Sequence, residues 1–136
     1  MWGHKQWQET LIFQLSMETN NRTNTNPSDA EVAEWTKQYG KLRVITVTLE
    51  DENENGEPLP CLRFYFKRNI QNKIATLTLA NKKLQENKDA FAYSKIILNA
   101  FAVNGQEVFS THEDALIAMM PYVDGLITTA TAQLGK

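Results

Sequence analysis

Cys61-Leu62-Arg63-Phe64-Tyr65-Phe66-Lys67-Arg68 alternates apolar and polar side chains almost residue by residue, the period of a strand that buries one face. Leu62, Phe64 and Phe66 are expected to point inward, and Arg63, Tyr65 and Lys67 outward. Just upstream, residues 42–49 are rich in β-branched side chains, with Ile45, Val47 and Leu49 on one face and Thr46 and Thr48 on the other, which suits a half-buried strand. The two runs predict an antiparallel hairpin joined through the polar, acidic residues 50–60.

Helical spacing takes over on both sides of the hairpin. Downstream, Asn69 can cap a helix carrying Ile70, Ile74, Leu77 and Leu84, although Thr76 and Thr78 lower its intrinsic propensity, so burial must support it. Asn87 or Asp89 opens another, with Phe91, Ile97, Leu98 and Phe101 as core candidates, and Asn104-Gly105 ends or reverses the chain. Upstream, Asn26-Pro27-Ser28 opens a helix with Ser28 and Glu31 at capping-box spacing, Val32, Trp35 and Tyr39 on one side, and Gly40 as its stop. Near the C-terminus, Ser110 and Thr111 stand three residues before Glu113 and Asp114, and the stripe Leu116, Met119, Val123, Ile127, Ala130, Leu134 keeps helical register across Pro121. A long helix, kinked or broken at the proline, is expected there.

The fold class these pieces imply is α+β: a two-stranded antiparallel hairpin packed with about four helices, the last long and kinked. Residues 28–136 read as a single α+β domain. Residues 18–27 hold almost no apolar group and read as a linker unable to offset its ordering entropy, so residues 1–27 are expected to be a mobile N-terminal extension. Within it, Trp7, Leu11 and Leu15 would form one stripe if helical, a candidate docking helix; alternatively, Met17 is the true start.

A chain of 136 residues can bury one core of ordinary size without disulfide or metal. Fourteen Lys and Arg against sixteen Asp and Glu give a net charge of −2, which supplies no global field for nucleic acid or an anionic membrane. The single cysteine, Cys61, excludes an intrachain bridge, and the apolar cluster at residues 10–15 is too short for a signal h-region or a span. A cytoplasmic protein without membrane association is expected. The Asn21-Arg22-Thr23 sequon carries no weight without a secretory signal.

Chemistry-bearing patterns are sparse. Asp51-Glu52-Asn53-Glu54-Asn55-Gly56 copies half of a calcium loop, but Leu62 stands where the bidentate carboxylate belongs, so a solvated hairpin tip is the better reading. His4 and His112 are the only histidines and have no metal-ligand spacing. No nucleophile elbow or glycine-rich phosphate loop occurs. No catalytic, cofactor or metal residue is assigned, and no small-molecule substrate is expected. Two surfaces are candidates for binding. Arg63, Tyr65, Lys67 and Arg68, with Arg43 opposite, could stack a base or hold phosphates, against which stands the need of any two-stranded ribbon to expose a face. Trp35, Tyr39, Met119, Met120, Val123 and Ile127 could form an adaptable partner surface, against the ordinary fate of such a stripe as core.

The order of the pieces adds one more observation. A capped helix ending Trp35…Gln38-Tyr39-Gly40-Lys41, a strand ending Tyr65-Phe66-Lys67-Arg68, Ile97-Leu98-Asn99 leading to Asn104-Gly105-Gln106-Glu107, and then an acid-capped helix together resemble small tailed-bacteriophage morphogenesis proteins. These are described as tail assembly chaperone-like or as small virion-associated proteins. The resemblance spans residues 28–134; Asn69 stands where those proteins usually have proline. It implies no catalytic residue. It implies a non-enzymatic protein of virion assembly that masks apolar surfaces, with phage structural proteins or a second copy of itself as partners, located in the host cytoplasm or the virion. A structural protein retained in capsid or tail, a nucleic-acid accessory module and an inhibitor-like binder of a host factor are the alternatives.

Overall fold

The computed structural model describes residues 21–50, 52–128 and 132–135. The Met17 start, the Trp7, Leu11 and Leu15 stripe, His4 and Ala130 lie outside the described residues.

Helix α1 (Asp29–Tyr39) begins with the reciprocal cap its sequence announces. The Glu31 amide donates to Ser28 Oγ at 3.2 Å, and the Ser28 amide donates to Glu31 Oε1 at 3.1 Å, satisfying two backbone donors that helix geometry leaves unpaired. Gly40 closes it at φ 82°, its amide donating to Thr36 O.

Strands β1 (Arg43–Val47) and β2 (Leu62–Phe66) pair antiparallel, with Arg43 opposite Phe66 and Val47 opposite Leu62. Between them Asn53 organises the loop tip: its side-chain oxygen accepts the amides of Asn55 and Glu57 at 2.9 and 3.0 Å. An oxygen committed to two backbone donors serves a turn.

Two antiparallel helices follow, α2 (Lys73–Asn87) and α3 (Ala90–Phe101). The first starts four residues later than Asn69, with Asn72 left-handed at φ 57° and making no side-chain cap. Asp89 caps α3, accepting the Ala92 amide at 2.9 Å. Helix α2 buries only Ala80; what holds it is its packing along α3.

The expected long C-terminal helix is instead a series of short segments: α4 (Val108–Thr111), α5 (Glu113–Met119), a 3-10 turn (Met120–Tyr122) and α6 (Val123–Ile127). His112 rather than Ser110 or Thr111 caps α5, its Nδ1 accepting the Ala115 amide at 3.2 Å. Pro121 occupies the 3-10 turn, where its missing donor and its ring are tolerated. Helical backbone ends at Thr128, and Leu134, placed in the stripe by its spacing, is fully exposed.

The core lies on one side of the hairpin. Val47, Phe64 and Phe66 meet Ile97, Leu98 and Phe101 of α3, Phe109 of α4, Leu116 and Met119 of α5, and Val123 and Leu126 of α6. Phe109 sits between the strand phenylalanines, with ring centroids 5.4 Å from Phe64 and 6.4 Å from Phe66. Each such fully buried ring contributes about 2–3 kcal/mol from area alone. Helix α1 lies on the opposite side of the hairpin, where Trp35 meets Tyr65 with centroids 6.0 Å apart. Together these elements make an α+β body, as the alternating strand and flanking helical periods indicate.

Residues 21–27, expected to be the end of a mobile linker, are bonded into this body. Thr25 O accepts the Arg63 amide at 2.9 Å, Asn21 O accepts the Gly105 amide at 2.8 Å, and Arg22 O accepts the Glu107 amide at 2.9 Å. Pro27 is buried, and Arg22 pairs with Glu107 at 3.1 Å. Composition signalled too little apolar area for order; backbone hydrogen bonds supplied the order instead.

Candidate functional site

The outward residues of β2 were the candidate nucleic-acid face, and the structure covers most of that face with α1. Arg63 Nη2 donates to Pro27 O at 3.0 Å, Tyr65 packs on Trp35, and Lys67 Nζ stands 5.4 Å from the Tyr39 ring centroid. Arg68 is exposed beyond the strand end. Arg43 is directed elsewhere, donating to the carbonyls of Gly125 and, at 3.0 Å, Thr128. These side chains are engaged in packing and capping, so the open basic and aromatic ribbon expected from the alternation is not formed.

The six residues of the candidate partner surface do not form one surface either. Trp35 is buried beneath α1, and Met119 and Val123 are core. Met120 and Ile127 are partly exposed, and Tyr39 is 42% exposed beside Lys67, at the edge of a separate polar hollow with Asn69, Ile70, Gln71, Thr76 and Ala100. Their helical spacing carried a core signal, which the packing of α5 and α6 on the hairpin fulfils.

Exposed apolar surface collects at another place. Between the start of α3 and helix α5 runs an open groove of about 430 Å³ lined by Asp89, Phe91, Lys95, Glu113, Leu116 and Ile117. Phe91 is 51% exposed and Ile117 52%, while Leu116 between them is buried. Asp89 is already engaged as the α3 cap. Among the described residues, neither Lys95 nor Glu113 joins an ion pair. The groove thus offers two apolar walls and one free charge of each sign at its rim, an arrangement suited to an amphipathic segment with one apolar anchor.

Sequence reasoning placed Phe91 in the core because it lies two turns before Leu98 on the same helix face. That face simply runs past the end of the core. Ile117 was detectable in principle: an isoleucine adjacent to, and off, the Leu116, Met119, Val123 stripe has no buried place on its own helix.

In the first turn of α3, Tyr93 donates its hydroxyl to Asp124 Oδ1 at 3.1 Å. Burial, and then the hydrogen bond and charge of Asp124, raise the phenol above its ordinary 10.0. Among the described residues no three His, Cys, Asp or Glu side chains gather as a metal-binding group, and no helix is long and apolar enough to cross a membrane.

No protein-family model, curated protein or solved structure matches this chain.

Proposed function

We propose that this chain is a non-enzymatic docking protein of bacteriophage virion assembly, chaperone-like in that it covers an apolar segment of a structural protein in the host cytoplasm until assembly displaces it. The observation that carries the docking role is the pair of exposed walls, Phe91 and Ile117, standing over Leu116. Apolar surface left open on a small body is retained where something covers it. The assignment to virion assembly draws on the resemblance of the motif order in residues 28–134 to that of phage morphogenesis proteins. The binding face in this reading is the α3–α5 groove, since Trp35, Met119 and Val123 are consumed by packing.

Two measurements test it together. The chain should capture a virion structural protein from infected-cell lysate, and the double substitution Phe91→Ala, Ile117→Ala should abolish that capture while leaving the circular dichroism spectrum intact. Mass spectrometry of purified virions should find the chain absent from particles. Stoichiometric presence there would replace the chaperone role with that of a retained structural protein, and capture that survives the double substitution would remove the groove as the docking face.

A further inference from the structure

The hairpin has two edges, and the structure treats them differently. Along β2, every described outward backbone donor is occupied: the Arg63 amide by Thr25 O, the Lys67 amide by Phe101 O at 2.8 Å, and the Tyr65 amide by the side-chain oxygen of Asn104 at 2.8 Å. The Tyr65 carbonyl accepts the Val103 amide at 2.8 Å, and the Arg63 carbonyl accepts Asn104 Nδ2 at 2.9 Å. Since Arg63, Tyr65 and Lys67 spend their backbone groups away from β1, it is Leu62, Phe64 and Phe66 that bond to it. Their partners are Val47, Ile45 and Arg43. In an antiparallel ladder the intervening residues, Val44 and Thr46, then present N–H and C=O to the opposite side. Neither residue hydrogen-bonds there to any described residue.

Among the described residues, this second edge carries none of the usual protections. β1 contains no proline, and its only charged side chain, Arg43, is turned onto the carbonyls of Gly125 and Thr128. Val44 is 53% exposed, and Ile45 and Leu49 on the core side are left partly exposed. Natural edge strands are ordinarily covered, charged, bulged or broken by proline, because an open ladder is a template for another strand.

We propose that two copies of this chain associate through β1, antiparallel about a two-fold axis at Thr46, to form one continuous four-stranded sheet. That one edge stays open among the described strands argues for a second copy. With the β2 edge closed, a two-fold pairing consumes the free edge of both molecules at once and leaves none to propagate a fibre. The strand is also self-complementary in this register. Thr46 falls opposite Thr46 of the partner subunit, Val44 opposite Thr48 of the partner subunit, and Ile45 opposite Val47 of the partner subunit. Arg43 falls opposite Leu49 of the partner subunit, so no like charges meet. Cross-strand β-branched and Thr–Thr pairs are favourable.

Light scattering on the eluting full-length chain should give the mass of a dimer, and Thr46→Pro should give the monomer mass with an unchanged circular dichroism spectrum. The substitution removes a donor that points away from β2, so the internal ladder survives it. If the proline variant fails to fold, residue-resolved hydrogen exchange on the unaltered chain decides: the Val44 and Thr46 amides should be slow in concentrated solution and fast after dilution. A wild-type chain that stays monomeric up to millimolar concentration, a folded Thr46→Pro dimer, or exchange at Val44 and Thr46 that is equally fast at all concentrations would each overturn the proposal.

Discussion

Asn104 completes the sheet from a loop: its side-chain oxygen accepts the Tyr65 amide at 2.8 Å while its Nδ2 donates to the carbonyls of Arg63 at 2.9 Å and Asn24 at 2.8 Å. The residue is fully buried, and the preceding Phe101–Val103 backbone bonds to the same side of β2. A side-chain amide has the same donor and acceptor as a peptide group, which lets it stand in for a neighbouring strand.

Replacing Asn104 by alanine strands one amide and reduces the bonding of two carbonyls inside the body. Unsatisfied buried groups cost about 1–3 kcal/mol each, with partial relief from water, so a loss of about 2–4 kcal/mol is expected in urea unfolding. Asn104→Asp should be as harmful at neutral pH, because a carboxylate oxygen would face the Arg63 and Asn24 carbonyls. It should recover part of the loss in acid, where the protonated form can donate again; alanine should show no such recovery.

Gly105 is the second demand of the same turn. Its φ is +72°, and a Cβ would lie 2.6 Å from two atoms of the Phe64 ring, which is itself fully buried against Phe109. Left-handed backbone costs an L-residue about 1–2 kcal/mol and overpacking about 1–3 kcal/mol. Gly105→Ala should therefore lower stability by roughly 2–5 kcal/mol in equilibrium denaturation, whereas Gly125→Ala, with open space around it, should not.

The Tyr93 phenol, raised by burial and by Asp124, makes the fold sensitive to alkali. A raised native value means that the unfolded chain releases the proton first, so the associated stability is complete below pH 10 and is lost as the pH climbs through the native value. Tyr93→Phe should flatten that decline in a comparison of thermal midpoints between pH 8 and pH 11. An identical alkaline slope in the two proteins would contradict the role given to Tyr93.

Arg43 caps the last helix through the Gly125 and Thr128 carbonyls. Because a cation at a helix C-terminus satisfies orphan acceptors and opposes the dipole, Arg43→Met should cost about 1–2 kcal/mol. The loss should appear as faster amide exchange in Val123–Ile127, with β2 little changed.

Local chemistry was legible where one short stretch contained the whole argument. The Ser28 and Glu31 cap, the Gly40 stop, the strand alternation at Phe64 and Phe66 and the Asp89 cap all depend on neighbours within a few residues, so reading the sequence located the hairpin and helix α1 and narrowed the α3 start to Asn87 or Asp89. The C-terminal stripe was legible as a set of buried positions, but not as separate helices. Periodicity survives a 3-10 turn, and nothing local shows that His112 will serve as a cap.

Residues 21–27, Asn104 and β1 depend on partners distant in sequence. Asn104 bonds to Asn24, 80 positions away, and Arg43 to Thr128, 85 positions away. Whether an exposed alternation becomes an open ribbon or the floor beneath α1, and whether Phe91 ends in the core or on a groove wall, is decided by which surfaces remain once the helices have docked. The sequence by itself determined the hairpin, the bounds of α1 and the face of each strand that is buried, because those follow from backbone sterics and side-chain period. Only the tertiary structure decided which edge of the hairpin is closed and which apolar side chains stay outside, because both depend on the finite reach of helices packing around one small core.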